Sequence, residues 1–161
     1  MLGVRTFVVD SAGELMKFRN VPANVSLLIR LAYPNPGTKS RLSGKFGMSA
    51  LEAEVLLSQA IAQGSHIAGF SFHVGSQLDS VAACASATAN TLELMDLLEH
   101  RWDARFTMLD IGGGFPVANH TDVASSEPIA TALRPLLEPH STRLQILAEP
   151  GRILVADAPI A

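Results

Sequence analysis

Three features of this 161-residue sequence predict an α/β fold of parallel strands joined by helical crossovers. Short apolar, strand-like runs alternate five times with helix-like stretches. No hairpin signal of the Asn-Gly type joins any two of them. A polar residue stands at the carboxyl end of every run: Asp10, Arg30, His73, Asp110 and Glu149. Strands joined by helical stretches rather than tight turns pair in parallel. Polar groups gathered at strand carboxyl ends mark the active face of an open α/β sheet or of a (β/α)8 barrel. A full barrel takes about 250 residues and eight strands. Five βα units therefore read as a partial (β/α)8 barrel, one domain spanning residues 1–161.

Taken in order, residues 6–10 form a short β-branched run, and Ser11 and Glu14 follow with the spacing of a capping box. The short helix they open carries Leu15 and Phe18 on one face and is expected to end by Pro22. Residues 25–30 are apolar on both faces until Arg30, as a strand buried between layers should be. Residues 33–46 hold Pro34, Pro36, Gly37 and Gly44 without periodicity and read as loop. Ser49 and Glu52 form a second capping-box pair, opening a helix expected to turn Leu51, Val55 and Ile61 inward and to stop at Gly64. Residues 67–74 read as a strand delivering His73. The longest helix is expected to start at Asp79, with Val81, Ala85, Thr88, Leu92 and Met95 at helical spacing and Trp102 as a packing anchor. Residues 107–111 form the fourth strand. Pro128 suits a first helical turn, whereas Pro135 and Pro139 limit or kink that helix. Residues 144–148 form the fifth strand and lead into Glu149-Pro150-Gly151-Arg152.

Composition narrows the function classes. Hydrophobic residues make up 48% and charged residues 17% of the chain, a folding composition with one core. The net charge of −3 comes without a basic stripe, which argues against nucleic acid as a partner. Cys84 is the only cysteine, so no internal disulfide forms, and a reducing compartment fits. No window reaches the roughly 18 apolar residues of a membrane span, and no signal-peptide core opens the chain. A cytoplasmic protein without membrane contact is expected.

The chemistry concentrates in three places. Residues 108–116, Met108-Leu109-Asp110-Ile111-Gly112-Gly113-Gly114-Phe115-Pro116, run from strand into three glycines, where backbone N–H groups can close on an anion such as phosphate. A tight turn without ligand is the plainer reading of such a stretch. A dinucleotide fingerprint would need glycine three positions after Gly114, where Val117 stands. His73-Val74-Gly75-Ser76 adds an imidazole and a hydroxyl, each of which could equally be a satisfied loop group. Glu149-Pro150-Gly151-Arg152 adds a carboxylate and a guanidinium, which alone could be a surface ion pair. Together they supply a phosphate cradle, a flat ring that stacks, an acid and an arginine. Pyridoxal phosphate uses all four. Gly112, Gly113, Gly114, Ser76 and Arg152 would hold its phosphate, His73 would stack on the ring, and Glu149 would pair with the ring nitrogen and keep it protonated as an electron sink. His73 and Glu149 are thus the catalytic candidates, and no metal site is read.

These stretches resemble the fold-III pyridoxal-phosphate decarboxylases of ornithine, lysine, arginine and diaminopimelate. Four segments match in order along nearly the whole chain: Leu42-Ser43-Gly44-Lys45-Phe46-Gly47, residues 71–76, residues 109–116 and Ala148-Glu149-Pro150-Gly151-Arg152. The resemblance implies the roles just given and adds Arg30 near the cofactor ring. Gly-Gly-Gly-Phe-Pro, with Ser-Phe before His73, is more similar to the ornithine and lysine branch. The family holds its cofactor covalently through a lysine on the first barrel strand, and none of Lys17, Lys39 and Lys45 stands in such a context. The chain is therefore expected to lack the first barrel strands and the C-terminal β-domain. It would be inactive alone, and would pair as a homodimer or with a complementary chain to serve an amino-acid substrate. A non-catalytic cofactor-binding or protein-interaction relative is the alternative.

Overall fold

The computed structural model describes residues 3–33, 45–76, 80–117 and 125–155. β1 (Thr6–Val9), β2 (Ser26–Leu31), β3 (Ile67–Phe72), β4 (Met108–Gly113) and β5 (Gln145–Glu149) pair in parallel, in sequential order. Between them lie α1 (Ala12–Met16), α2 (Ala50–Gln63), α3 (Val81–Trp102) and α4 (Glu127–Leu137). A 3-10 turn (Glu138–His140) follows α4, and α5 (Gly151–Val155) follows β5. Crossovers between sequential parallel neighbours, right-handed as a rule, carry α1 to α4 along one side of the sheet, and α1, α2, α3 and α4 touch in turn. The result is five units of a barrel wall: a partial (β/α)8 barrel.

Register explains the layering. Val9, Ile29, Phe70, Leu109 and Ile146 lie in one row across the five strands. The first four are buried with residues of α2 and α3 in the single core, and Phe70 meets Phe106 edge-to-face at 5.1 Å. Side chains alternate along a strand, so the next row, Arg30, Ser71 and Asp110, faces away from the helices. Polar groups can therefore gather on the concave side while the helical side stays apolar.

Several local expectations change. Leu51, Val55 and Ile61 are exposed (74%, 51% and 46%), and the inward stripe of α2 is Ala53, Leu56, Leu57 and Ala60. Two alanines let the helix approach the sheet closely, which the bulkier stripe would prevent. The Ser49–Glu52 capping box closes in both directions, while Ser11 accepts the Glu14 amide and the Glu14 carboxylate turns instead to Lys17. α1 ends at Met16, well before Pro22, so Phe18 lies beyond it and packs on Phe7 at 5.2 Å between ring centroids. β3 stops at Phe72, and β5 runs one residue further than expected, through Glu149. Ser80 caps α3, and Asp79 lies outside the described residues. Trp102 is 38% exposed rather than a core anchor; its indole N–H donates to Glu54, which also holds Arg101, tying α2 to α3. Pro135 sits inside α4 and Pro139 in the 3-10 turn.

Candidate functional site

The site grows from the row Arg30–Ser71–Asp110. Asp110 is 4% exposed, and a buried carboxylate must be hydrogen-bonded. Both oxygens are: the Ser71 hydroxyl donates to Oδ2 at 2.9 Å, and the Gly112 amide donates to Oδ1 at 2.9 Å. The first bond ties β3 to β4. The second bends the chain just after Ile111, where Gly112 takes φ +68°, a conformation that disfavours any Cβ.

The bend aims the next amide. Gly113 N–H donates to Nδ1 of His73 at 3.1 Å, across the 3→4 strand gap. β4 thus continues through Gly112 and Gly113 rather than ending at Ile111, with its pairing to β5 shifted between Asp110 and Gly113. Close packing explains all three glycines. A Cβ on Gly112 would overlap the Phe72 carbonyl oxygen, one on Gly113 the Glu149 carbonyl oxygen, and one on Gly114 the Gly75 carbonyl oxygen, with His73 Nε2 at 3.4 Å. The sequence expectation was that the glycine amides face an anion. Two of them, Gly112 and Gly113, instead bind acceptors within the chain.

Charge organises the rest. His73 is held below its ordinary range, first by burial and then by the Arg30 guanidinium, against an opposing pull from Asp110. Glu149, the last residue of β5, has its carboxyl pushed up, first by partial burial and then by Asp110, while Arg30 draws it down. Arg30 therefore acts on both candidate catalytic groups. Its guanidinium lies over the Phe46 ring at 5.3 Å, a cation–π contact that steadies the charge. Phe46 is set in place by its neighbours: the Gly47 amide donates to Asp10 at 3.2 Å, and Met48 bridges to the end of β2.

His73, Gly112, Gly113, Gly114, Glu149 and Arg30 are thus brought together by contact or by field. Ser76 is half-buried, one residue beyond the Gly75 carbonyl that packs on Gly114. Arg152 lies in α5, exposed, three residues past Glu149. Among the described residues, no hydrogen bond or ion pair joins either to the cluster. Lys17 sits at the exposed C-cap of α1, paired with Glu14, and Lys45 opens the loop before Phe46; Lys39 lies outside the described residues, as do Leu42, Ser43 and Gly44. Asp10 and Asp110 belong to the polar rim read from the sequence, and Ser71 and Phe46 to its matching segments, but their roles in building the site come from the structure. The polar breaks in otherwise apolar runs at Ser71 and Asp110 were the available signal. Among the described residues, no group of three or more His, Cys, Asp and Glu side chains is arranged to hold a metal, and no helix is long and apolar enough to cross a membrane.

The profile described as "Pyridoxal-dependent decarboxylase, pyridoxal binding domain" matches residues 1–156. Among curated relatives, Antizyme inhibitor 2 of Xenopus laevis is 33% identical over 159 residues, and ornithine decarboxylase of Mus musculus is 34% identical over 161; each alignment covers 97% of this chain and 34% of the relative. The lysine/ornithine decarboxylase of Vibrio vulnificus complexed with cadaverine superposes with TM-score 0.84 at 33% identity, over 97% of this chain and 40% of that one. The chain thus spans about a third of the length of these curated relatives.

Proposed function

Because the chain belongs to the pyridoxal-dependent decarboxylases through their pyridoxal-binding domain, we propose that it forms the central barrel segment of such an enzyme, one domain over residues 1–161. The substrate class is a basic amino acid, ornithine- or lysine-like. The segment alone does not turn it over. The cofactor of this family is pyridoxal phosphate. When bound, it supplies an electron sink for the pair left on the substrate α-carbon as CO2 departs.

The convergence of His73, Glu149 and Arg30 on one rim of strand ends carries this reading, and their chemistry fits the group. Glu149, partly desolvated and facing the charge of Asp110, holds its proton more firmly than an ordinary carboxyl. A protonated ring nitrogen beside it would supply the compensating positive charge. Glu149 would hold the proton on that nitrogen, His73 would cover the ring face, and Arg30, steadied by Phe46, would stay at the ring edge. With the amides of Gly112 and Gly113 engaged inside the chain, Ser76, Gly114 and Arg152 would carry most of the phosphate contact, Gly112 and Gly113 shaping the cradle. None of the three lysines stands in the sequence context the family uses for its covalent lysine, so that lysine would come from a further part of the polypeptide or from a partner. We assign a homodimer or a complementary chain to that role, and the cytoplasm as the compartment.

The test is a titration of the chain with pyridoxal phosphate, followed by absorbance and by the fluorescence of the single tryptophan, Trp102. Saturable binding is expected, without a lysine of this chain labelled on borohydride reduction. Glu149→Ala should change the spectrum of the bound cofactor more than its affinity, and Arg152→Ala the reverse. Absence of saturable binding refutes the cofactor reading; a labelled Lys17, Lys39 or Lys45 refutes inactivity for want of a lysine. The likeness to a relative named as an antizyme inhibitor favours a second reading, a non-catalytic member of the same fold. A lysine-bearing strand and a β-domain encoded in frame with this segment would sink that second reading.

A further inference from the structure

We infer that Asp110 is a positioning residue that fixes the tautomer of His73, keeping Nδ1 as an acceptor and the ring proton on Nε2. The chain of contacts is direct. Ser71 Oγ–H and Gly112 N–H donate to the two oxygens of the buried Asp110 carboxylate. The turn so fixed at Gly112 directs Gly113 N–H onto Nδ1 of His73 at 3.1 Å. A backbone amide can only donate, so Nδ1 is the unprotonated nitrogen and Nε2 carries the hydrogen. Charging the imidazole would place a second proton on Nδ1 and break the Gly113 bond.

The charged groups around the ring act in the same sense on balance. Burial, and after it Arg30 on β2, opposes a cationic imidazole, while Asp110 on β4 favours one; Glu149 stands at the end of β5. What the device accomplishes rests on the cofactor reading above. A protonated pyridine ring is a cation, and a cationic imidazole stacked against it would be repelled. A ring locked neutral can lie flat on it and still offer Nε2–H as a donor at its far edge. Asp110 would thus serve the cofactor without touching it.

The experiment is nitrogen NMR of the full chain labelled at histidine, without cofactor. In the wild type, His73 should show a single Nε2–H tautomer at neutral pH. Asp110→Ala should convert it to a mixture of tautomers and move the Gly113 amide resonance. Asp110→Asn keeps an oxygen for Gly112 and lets Ser71 reverse its bond, so the tautomer should survive while the protonation midpoint of His73 moves down, the attraction of the carboxylate having gone. A merely structural Asp110 would leave the tautomer of His73 unchanged in a folded Asp110→Ala. An Nδ1–H tautomer in the wild type, or an unshifted His73 in both variants, overturns the proposal. If Asp110→Ala does not fold, the wild-type tautomer and the Asp110→Asn midpoint decide together. Failure of the chain to bind pyridoxal phosphate would refute the cofactor reading while leaving these spectra as they are.

Discussion

Gly112→Ala should be among the most damaging single-methyl additions to this chain, and three other glycines separate the reasons. Gly64 ends α2 with φ +76° and has open space where a Cβ would go. Gly64→Ala therefore meets only the cost of a left-handed backbone, about 1–2 kcal/mol, offset in part by about 0.4–1 kcal/mol of reduced unfolded-chain entropy. Gly113 shows the converse. Its backbone is not left-handed, but a Cβ would overlap the Glu149 carbonyl oxygen and sit 3.2 Å from its carbon. Forcing backbone apart in a packed interior costs about 1–3 kcal/mol. Gly112 combines the two: φ +68°, overlap with the Phe72 carbonyl oxygen, and His73 Cα at 3.2 Å. Its loss should approach the sum, about 2–5 kcal/mol, or about 2–4 kcal/mol after the same entropic offset. With a urea m-value of about 2 kcal/mol/M, Gly64→Ala should lower the midpoint by about half a molar or less and Gly112→Ala by about 1–2 M. Gly151, where a Cβ would meet nothing, is the control and should stay within about 0.5 kcal/mol of wild type. Urea melts of the four variants settle it. A Gly112→Ala midpoint no lower than that of Gly64→Ala would refute the claim that strand-end packing, rather than backbone conformation alone, demands glycine there.

Glu149→Gln should stabilise the chain at neutral pH. The folded state raises this carboxyl above its ordinary range, so its contribution is fully present below the unfolded value of about 4.3 and is lost as pH rises through the folded one. The gain over wild type should vanish on acidification, and urea midpoints measured across that range check it. Cys84, 2% exposed and with its thiol pushed up to about 11, should react slowly with a disulfide reagent near pH 8, where about 0.1% is thiolate, and fully in urea. Rapid native labelling would show that α3 opens. The outer edges of β1 and β5 are unpaired among the described strands, a template for association. Sizing with light scattering at micromolar concentration should therefore show species larger than monomer, and a sharp monomer peak would count against it.

Strand order and the rim of polar residues were legible because each strand is a compact apolar run ended by a turn residue, and because parallel pairing follows from the missing hairpins. The facing of α2 was not. Its sequence carries apolar residues nearly all round, and two stripes compete: Leu51, Val55 and Ile61, or Ala53, Leu56, Leu57 and Ala60. Hydrophobicity favours the first; the distance to the sheet selects the second. Trp102 misled in the same way, since its size suggests burial while Glu54, 48 positions away, offers its N–H a partner at the surface. Phe46 was legible only as part of a resemblance, because its contact with Arg30 depends on residues 46–48 lying beside the end of β2.

The triple glycine shows how one requirement can hide two causes. A strand end that must approach a phosphate and a strand end that must approach its neighbours both exclude a Cβ, so the sequence does not separate them. The coordinates do, because hydrogen bonds have direction: Gly112 N–H points at Asp110 and Gly113 N–H at His73. The glycines therefore couple three strands, with Phe72 of β3 and Gly75 beyond it on one side and Glu149 of β5 on the other. A change at Gly113 must consequently act on both candidate catalytic groups, freeing Nδ1 of His73 and displacing the backbone of Glu149. Gly113→Ala should thus weaken cofactor binding and alter its spectrum together, whereas Glu149→Ala and Arg152→Ala should separate the two effects. If Gly113→Ala changes affinity alone, with the bound spectrum intact, then the glycines serve the phosphate and the coupling of His73 to Glu149 through them is wrong.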